Sequence, residues 1–374
     1  MIENLDDDAE IEFEDQSETE ESDIDEIPKE KRILRTQAYD KSVSDLISMM
    51  DEDIRLDPHY QRSYIWDNKK ASLLVESILL NVPIPVVYVE EDEESRWNVV
   101  DGLQRLNSLK RFFNNEFKLS GLEVLPELNR LQYSTLPPKA QRILKNGILR
   151  IIVILQESHP EIKYDIFLRL NRGAVRLNEQ ELRNCLYRGS LNDFIKELRE
   201  DEKFQSVLGL ERPHPRFVDA ELLLRAVALV DTFDIESGLL RGYPGKMKSF
   251  LNSYMNDNKH VGSEKLKELK EVFLSCLNCS IAVFGEKAFR RIDPISGASE
   301  RQINRALFDT IMVGFSAYSL AQVTKKKDQI FSGFMDLSKS DKVFADALIF
   351  GTSDKSKVEY RLSTWTSFLK KIIV

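Results

Sequence analysis

The spacing of hydrophobic residues along the chain changes near residue 160. Before that point, short apolar runs rich in β-branched residues predict three strands, namely VVYVE at 86–90, RWNVV at 96–100 and ILRIIVIL at 148–155. Apolar residues at helical spacing predict two helices ahead of these strands, over 42–50 and 68–80. The first part of the chain therefore combines helices with a small sheet.

Beyond residue 160 the strand signal almost disappears and helical spacing dominates. Turn sequences such as GYPG and DPISG interrupt the helical patterns. The predicted helices cover 161–170, 178–188, 190–200, 217–233, 246–256, 263–283, 300–323 and 356–372. We therefore predict an α+β protein, in which a small mixed-sheet domain (residues 36–204) precedes a mostly α-helical C-terminal domain (residues 205–374).

Acidic residues are concentrated at the N-terminus. Residues 1–30 hold fifteen Asp or Glu and one Lys, a net charge of −14, whereas the whole chain carries −9, which leaves about +5 on the rest. A segment with so much charge and so few aromatic residues cannot bury enough surface to fold, so we predict a disordered acidic tail over residues 1–35. This tail either only solubilises the protein or competes with nucleic acid for a basic groove on the rest of the chain.

Hydropathy and cysteine usage narrow the class of protein. No apolar run approaches the roughly 20 residues that a membrane helix requires, so we expect a cytoplasmic protein without membrane contact. Cys276 and Cys279 form a C-x-x-C pair within a helical pattern, and the nearest histidine, His260, has no second partner. Buried core cysteines are therefore favoured over a zinc site.

The junction VVDGLQRL, residues 99–106, carries the clearest chemical signal. A helix that begins near Leu103 presents its first backbone N–H groups and a partial positive charge to the preceding turn, where anions bind readily. Gly102 lets a phosphate approach the backbone, Arg105 can clasp phosphate oxygens, Asp101 can hold the water of a metal ion, and Gln104 can orient a water. The alternative is structural, with Asp101 as helix cap, Gly102 as turn residue and Arg105 as a solvated charge.

Two loop stretches carry polar residues that a structural role explains only in part. HYQRSYIW at 59–66 places Gln61 and Arg62 in an irregular loop, although its aromatic residues can also serve to anchor that loop. In LRLNRGAVRLNEQEL, Asn171 and Arg172 precede a turn glycine, and a capping box of Asn178 with Glu181 begins the next helix. A helix end does not itself require an Asn-Arg pair, so a structural role explains Asn171, Arg172 and the later Arg183 poorly.

Five stretches of the chain follow one another in the order in which a known family has its motifs. They are YQRSYIW, NVPIPVVYV, VVDGLQRLNSLKRF, IFLRLNRGAVRLNEQELRNCLY and RFVDAELLLRAVAL. In this respect the chain resembles the DGQQR-motif ParB-like domain at the N-terminus of GmrSD-type modification-dependent restriction enzymes. The resemblance spans about residues 40 to 255. It implies a fold similar to that of ParB and sulfiredoxin, with nucleotide phosphates bound at the helix start.

The resemblance implies an NTPase linked to DNA restriction or phage defence, and the functional residues of the family can be assigned to the matching positions of this sequence. Its catalytic residues would be Asp101 and Gln104, and Asp101 with Asn171 would hold Mg²⁺. The nucleotide, with GTP or CTP favoured over ATP, would contact Gly102, Arg105, Gln61, Arg62, Asn171 and Arg172. DNA, a separately encoded nuclease and a second copy of the chain are the implied partners.

The sequence departs from the family pattern in two ways. Leu103 replaces the first glutamine of DGQQR, which predicts slow or absent hydrolysis if that glutamine orients water. The four histidines lie far apart and none follows His260, so we expect no HNH nuclease half of the kind found in such enzymes. Two alternatives therefore stay open: a nucleotide or DNA sensor without turnover, and a metal-dependent DNA nuclease. Three basic clusters either contact phosphate or are ordinary surface, namely Lys325–Lys327, Arg290–Arg291 and RPHPRF at 212–217.

Overall fold

The computed structural model describes residues 33–56, 66–170 and 178–373. These residues form two compact units, which divide between Leu186 and Tyr187. The division comes earlier in the chain than the predicted boundary after residue 204, because the helix predicted over 190–200 belongs to the second unit. The predicted acidic tail lies outside the described residues, apart from Ile33 to Arg35.

The first unit, termed the sheet unit, is built on a mixed five-stranded sheet, which confirms the predicted fold class. Its strands are β1 Thr36–Ser42, β2 Ile54–Arg55, β3 Val87–Glu91, β4 Trp97–Asp101 and β5 Ile148–Ile154, in the order β1-β5-β3-β4-β2. β3 runs parallel to β5 and antiparallel to β4, while β1 pairs antiparallel with β5 and β2 pairs parallel with β4. The three predicted strands are thus the three central ones.

Four helices cover one face of this sheet and form the hydrophobic core with it. They are α1 Val43–Glu52, α2 Asn68–Leu79, α3 Leu103–Phe113 and α4 Pro138–Asn146. Alternate strand residues such as Val87, Val89 and Val99 point into this core, together with Leu106 and Leu109 of α3. Because strand side chains alternate between faces, the residues between these valines lie on the opposite side of the sheet, termed the second face.

The last two helices of the sheet unit are α5 Pro160–Leu170 and α6 Glu179–Leu186. The predicted capping box at the start of α6 is confirmed. The amide of Glu181 donates to Asn178 Oδ1 at 2.8 Å, and the amide of Asn178 donates to Glu181 Oε2 at 2.7 Å. These two bonds satisfy backbone donors that a helix start otherwise leaves without an acceptor.

The second unit, termed the helical unit, contains nine helices among the described residues and one short hairpin, Phe233–Asp234 with Leu239–Leu240. The helices are α7 Ser190–Leu198, α8 Glu202–Leu208, α9 Val218–Thr232, α10 Met247–Asp257, α11 Ser263–Phe284, α12 Arg305–Phe315, α13 Leu320–Ser340, α14 Lys342–Ala347 and α15 Lys355–Ile373. Cys276 and Cys279 are buried in α11 as predicted, and burial raises the pKa of both thiols, to about 12 and about 11.

An ion-pair network joins three helices inside the helical unit. Arg225 of α9 donates to both carboxylate oxygens of Asp309 on α12, at 3.1 and 2.6 Å. Arg361 of α15 lies 3.4 Å from the same carboxylate and also donates to the carbonyl oxygen of Thr352. All three side chains are fully buried, so the network fixes α9, α12 and α15 to one another.

Several predicted elements differ from the structure. The helix predicted over 300–323 is two helices, because the chain turns after Phe315 and Ser319 begins α13 in a capping box with Gln322. β1 was missed because its residues are largely exposed and do not alternate between apolar and polar. α4 was missed because only Leu144 of its nine residues is buried.

Candidate functional site

The residues Asp101 to Arg105, termed the DGLQR turn, connect β4 directly to α3. Gly102 has φ +105° and ψ 5°, a left-handed conformation, and stands at the N-cap position without a capping side chain. A Cβ atom at this position would lie 2.9 Å from Cγ2 of Val87. Only glycine therefore fits the turn, and no side chain caps the start of α3 with a hydrogen bond.

A β-bulge determines which way Asp101 faces. Val89 pairs with Val99, but Tyr88 pairs with Asp101, so one extra residue, Val100, lies in β4. Since paired residues share a face of the sheet, the bulge places Asp101 on the second face, opposite the core side to which regular alternation would direct it. Asp101 is not the helix cap, as the structural alternative supposed, because Gly102 takes that position.

Arg105 is bonded within the sheet unit and is not a solvated charge. Its guanidinium donates to Asp101 Oδ2 at 2.9 Å, and also to the backbone carbonyl oxygens of Pro85 and Val86. Burial lowers the pKa of Arg105, and the negative charge of Asp101 opposes this shift in part. Through these hydrogen bonds, Arg105 fixes the DGLQR turn to the two residues that precede β3.

Asp101 and Leu103 have opposite environments within the turn. The Asp101 side chain is 41% exposed, so one carboxylate oxygen faces Arg105 while the group as a whole stays accessible. Leu103 is buried in the hydrophobic core with Leu106 and Leu109. The position that departs from DGQQR thus points into the core of this chain, where an apolar side chain is stabilising. Gln104 lies at the first turn of α3 and is partly exposed.

The second face of the sheet carries polar residues that the sequence analysis did not identify. Glu90 of β3 lies opposite Asn98 of β4, and Lys163 of α5 donates to Glu90 Oε1 at 2.9 Å. The side chains of Glu90 and Lys163 are only 11% and 9% exposed. Lys and Glu are seldom buried unless they are paired, and this pair lies on the face of the sheet to which Asp101 is turned.

The four other predicted site residues, Gln61, Arg62, Asn171 and Arg172, lie outside the described residues. The structure therefore brings together Asp101, Gly102, Gln104 and Arg105 in one turn.

A magnesium ion fits the turn only with most of its ligands from elsewhere. Within the described ranges, no group of three or more His, Cys, Asp or Glu residues is arranged to hold a metal. Asp101 offers one accessible carboxylate, and Mg²⁺ is commonly held by one or two carboxylates together with waters and substrate phosphates. The available donors therefore suit a magnesium ion that is bound mainly by nucleotide phosphates and waters. They do not suit one that is bound by protein ligands alone.

The fold and the turn define a mixed-sheet domain with a glycine-containing junction between a strand and a helix. Residues 43–188 match the family described as GmrSD restriction endonuclease, N-terminal domain, so this part of the chain is similar to that domain. The resemblance inferred from the motifs is confirmed. The match ends two residues after the sheet unit does. Comparisons with curated proteins and with solved structures gave no match.

No helix among the residues that the structure describes is long and apolar enough to cross a membrane.

Proposed function

We propose that this protein is a nucleotide-binding, ParB-like component of a DNA restriction or phage-defence system and that it hydrolyses its nucleotide. The observation that carries the proposal is the left-handed Gly102 at the uncapped start of α3, beside a carboxylate that the β-bulge turns outward. Backbone N–H groups at an uncapped helix start of this kind are a common binding site for phosphate. The family of residues 43–188 supports the connection to restriction.

In this proposal each residue of the DGLQR turn has a separate task. The backbone around Gly102 binds the phosphates, and Arg105 holds the turn in shape through Asp101 and the carbonyl oxygens of Pro85 and Val86. Asp101 and Gln104 orient the attacking water or the water shell of the metal. The ion pair between Glu90 and Lys163 holds α5 on the second face of the sheet, the face to which Asp101 is turned. A bound Mg²⁺ would supply charge neutralisation for the phosphates, with Asp101 as its protein ligand.

The residues carried over by resemblance complete the proposal. Gln61 and Arg62 would line the nucleotide pocket, and Asn171 with Arg172 would approach phosphate or Mg²⁺ from the other side. GTP or CTP is favoured over ATP. DNA, a separately encoded nuclease and a second copy of this chain are the proposed partners.

Thermal unfolding with Mg²⁺ and each of ATP, GTP, CTP and UTP tests the nucleotide proposal. At a ligand concentration one hundred times its Kd, we expect about 2.7 kcal/mol of stabilisation, seen as a shift of a few degrees. The informative variant is Asp101→Asn, which keeps the shape of the side chain. Arg105→Ala would remove four internal contacts, so it tests folding as well as binding. We expect Asp101→Asn to remain folded, to keep part of the shift and to reduce phosphate release by about 100-fold or more.

Asp40→Asn is the matched control, because Asp40 also pairs with an arginine, Arg150, at 2.8 Å, but on the edge strand β1. It should keep both the shift and the turnover. The absence of a shift with all four nucleotides would contradict the proposal. So would an equal loss of turnover in both variants.

A sensor without turnover is the second candidate, and the inward-facing Leu103 favours it. No side chain at position 103 can orient a water here, since that position is filled by the core. A sensor would show the nucleotide-dependent shift without phosphate release. The nuclease alternative has weaker support, because metal-assisted cleavage uses several clustered oxygen ligands. It would instead appear as plasmid nicking with Mg²⁺ alone.

A further inference from the structure

One stretch of this acidic chain contains no acidic residue. Between Leu128 and Gln156 there is no Asp or Glu, although the chain as a whole holds 62. From Leu103 to Arg150 there are nine Lys or Arg residues against three Glu. Three of these nine cations, Lys139, Arg142 and Lys145, lie on α4 and form a local positive charge that the overall charge of −9 conceals.

The cations of α4 lie on its exposed side. Lys139, Arg142 and Lys145 are all exposed and follow one another at helical spacing, while Leu144 anchors the helix in the core. At 1.5 Å per residue they span roughly 9 Å along the helix. None of the three pairs with a carboxylate among the described residues, unlike Arg150, which pairs with Asp40. Their charge is therefore available to an external partner.

The start of α4 is held in place by its own sequence. Pro138 occupies the first turn of the helix, where its fixed φ is suited to a helix start. The side-chain amide of Gln141 donates to the carbonyl oxygen of Leu136 at 3.0 Å. The three cations thus stand on a helix that does not need to be ordered on binding, which lowers the entropic cost of a contact.

We propose that the exposed side of α4, defined by Lys139, Arg142 and Lys145, binds the phosphate backbone of duplex DNA. This inference rests on the proposed action on DNA, but not on nucleotide binding at the DGLQR turn. Phosphates along one strand of DNA follow each other at a rise of about 3.4 Å, so a 9 Å row of cations spans two or three of them. A row of exposed, unpaired cations without intervening carboxylates has the charge pattern of a backbone contact, not of base recognition.

The other basic clusters of the chain have different surroundings. Arg290 donates to the backbone carbonyl oxygens of Val207 and Leu208, and Arg291 pairs with Glu300. These two side chains are engaged within the helical unit. Lys325 and Lys327, by contrast, are exposed on α13, so Lys325–Lys327 provides a control with the same number of charges on the other unit.

The test measures affinity for a 30-base-pair duplex by fluorescence anisotropy, without nucleotide, at salt concentrations from 50 to 200 mM. The full chain is compared with the variant Lys139→Gln, Arg142→Gln, Lys145→Gln and with the control Lys325→Gln, Lys326→Gln, Lys327→Gln. We expect weaker binding by the α4 variant. The slope of log K against log salt should become shallower by about 2.7, if all three cations contact phosphate. The slope of the control should not change.

Equal slopes for the wild type and the α4 variant would overturn the proposal. That result would be expected if the acidic residues 1–30, and not DNA, occupied this surface. An equal loss in both variants would also overturn it, since charge alone would then account for the effect. The nucleotide-dependent thermal shift, measured on the same α4 variant, should be unchanged. Conversely, Asp101→Asn should keep the wild-type salt slope, so failure of one proposal is distinguishable from failure of the other.

Discussion

Gly102 is the residue on which the geometry of the candidate site depends most directly. Its φ of +105° disfavours every L side chain, and the space for a Cβ is closed by Val87. We expect Gly102→Ala to lower the free energy of unfolding by about 1–3 kcal/mol, because both the backbone conformation and the contact are unfavourable. Urea unfolding measures this change.

Gly245→Ala separates these two causes. Gly245 has a nearly equal φ, +101°, but the nearest atom to its missing Cβ, the Cβ of Lys355, lies 4.0 Å away. It therefore reports the cost of the backbone conformation alone, and the excess loss in Gly102→Ala measures the contact with Val87. A loss below about 0.5 kcal/mol in Gly102→Ala would show that the turn relaxes around the added methyl group.

For individual residues, the sequence predicted which residues form the turn but not which hydrogen bonds they make. Asp101, Gly102, Gln104 and Arg105 are adjacent in the chain, so their proximity could be predicted. The carbonyl partners of Arg105 lie 19 and 20 residues away, and Lys163 lies 73 residues from Glu90. Such long-range contacts leave no periodic signal, and a β-bulge changes the facing of Asp101 without any signature residue.

At the scale of elements, α2 is tied to the loop that follows α3 through one buried carboxylate. Glu76 accepts hydrogen bonds from the amides of Val124 and Leu125, at 2.9 and 2.8 Å, and from that of Glu123 at 3.3 Å. Burial raises the pKa of Glu76, but the three amides together outweigh it and lower the pKa below its ordinary value. The ionised carboxylate therefore holds this loop against α2.

The lowered pKa of Glu76 predicts a specific pH dependence. A carboxyl with a depressed pKa in the folded state contributes stability above its unfolded pKa, about 4.3, and loses it as the pH falls through the folded value. We expect Glu76→Gln to be less stable than the wild type by about 1–3 kcal/mol at pH 7, and the difference to shrink below about pH 4. Urea unfolding between pH 3 and 7 measures it. Glu127→Gln, exposed on the same loop, should show no such trend, and a constant difference for Glu76→Gln would contradict the explanation.

The predicted elements were correct where one face of a strand or helix is buried. The central strands β3, β4 and β5 and long helices such as α11 follow their apolar spacing. β1 is an edge strand with few apolar residues, so its position depends on pairing with β5 and not on its own pattern. The break between α12 and α13 was missed although Ser319 and Gln322 carry a capping-box signature, because the apolar spacing continues across it.

At the scale of the whole molecule, charge is divided between the N-terminus and the rest. Removal of residues 1–30 would change the formal net charge from −9 to about +5. If this segment competes with nucleic acid, the shortened chain should bind DNA more tightly at 50 mM salt, and the gain should narrow towards 200 mM as screening increases. Anisotropy with the same duplex measures both affinities.

A chain of full length in which the acidic residues of this segment are replaced by Asn and Gln separates charge from length. It should bind DNA as tightly as the shortened chain. Unchanged affinity of the shortened chain at low salt would leave the segment as a solubilising tail only. The division of the body into two units, in contrast, could not be predicted closely, because apolar spacing identifies helices but not which of them share a core.

The shared carboxylate of Asp309 has a consequence for the order in which the helical unit folds. Arg225, Asp309 and Arg361 are separated by 84 and 52 residues, yet each is fully buried against the others. Until α15 packs against α9 and α12, Arg361 is absent from this network, and the core of these two helices is uncovered on that side. Contacts between residues so far apart in sequence slow folding, because the intervening chain loses entropy when they form. Before α15 has been synthesised, the apolar surface of α9 and α12 that it covers in the native state is exposed, and such exposed surface promotes aggregation.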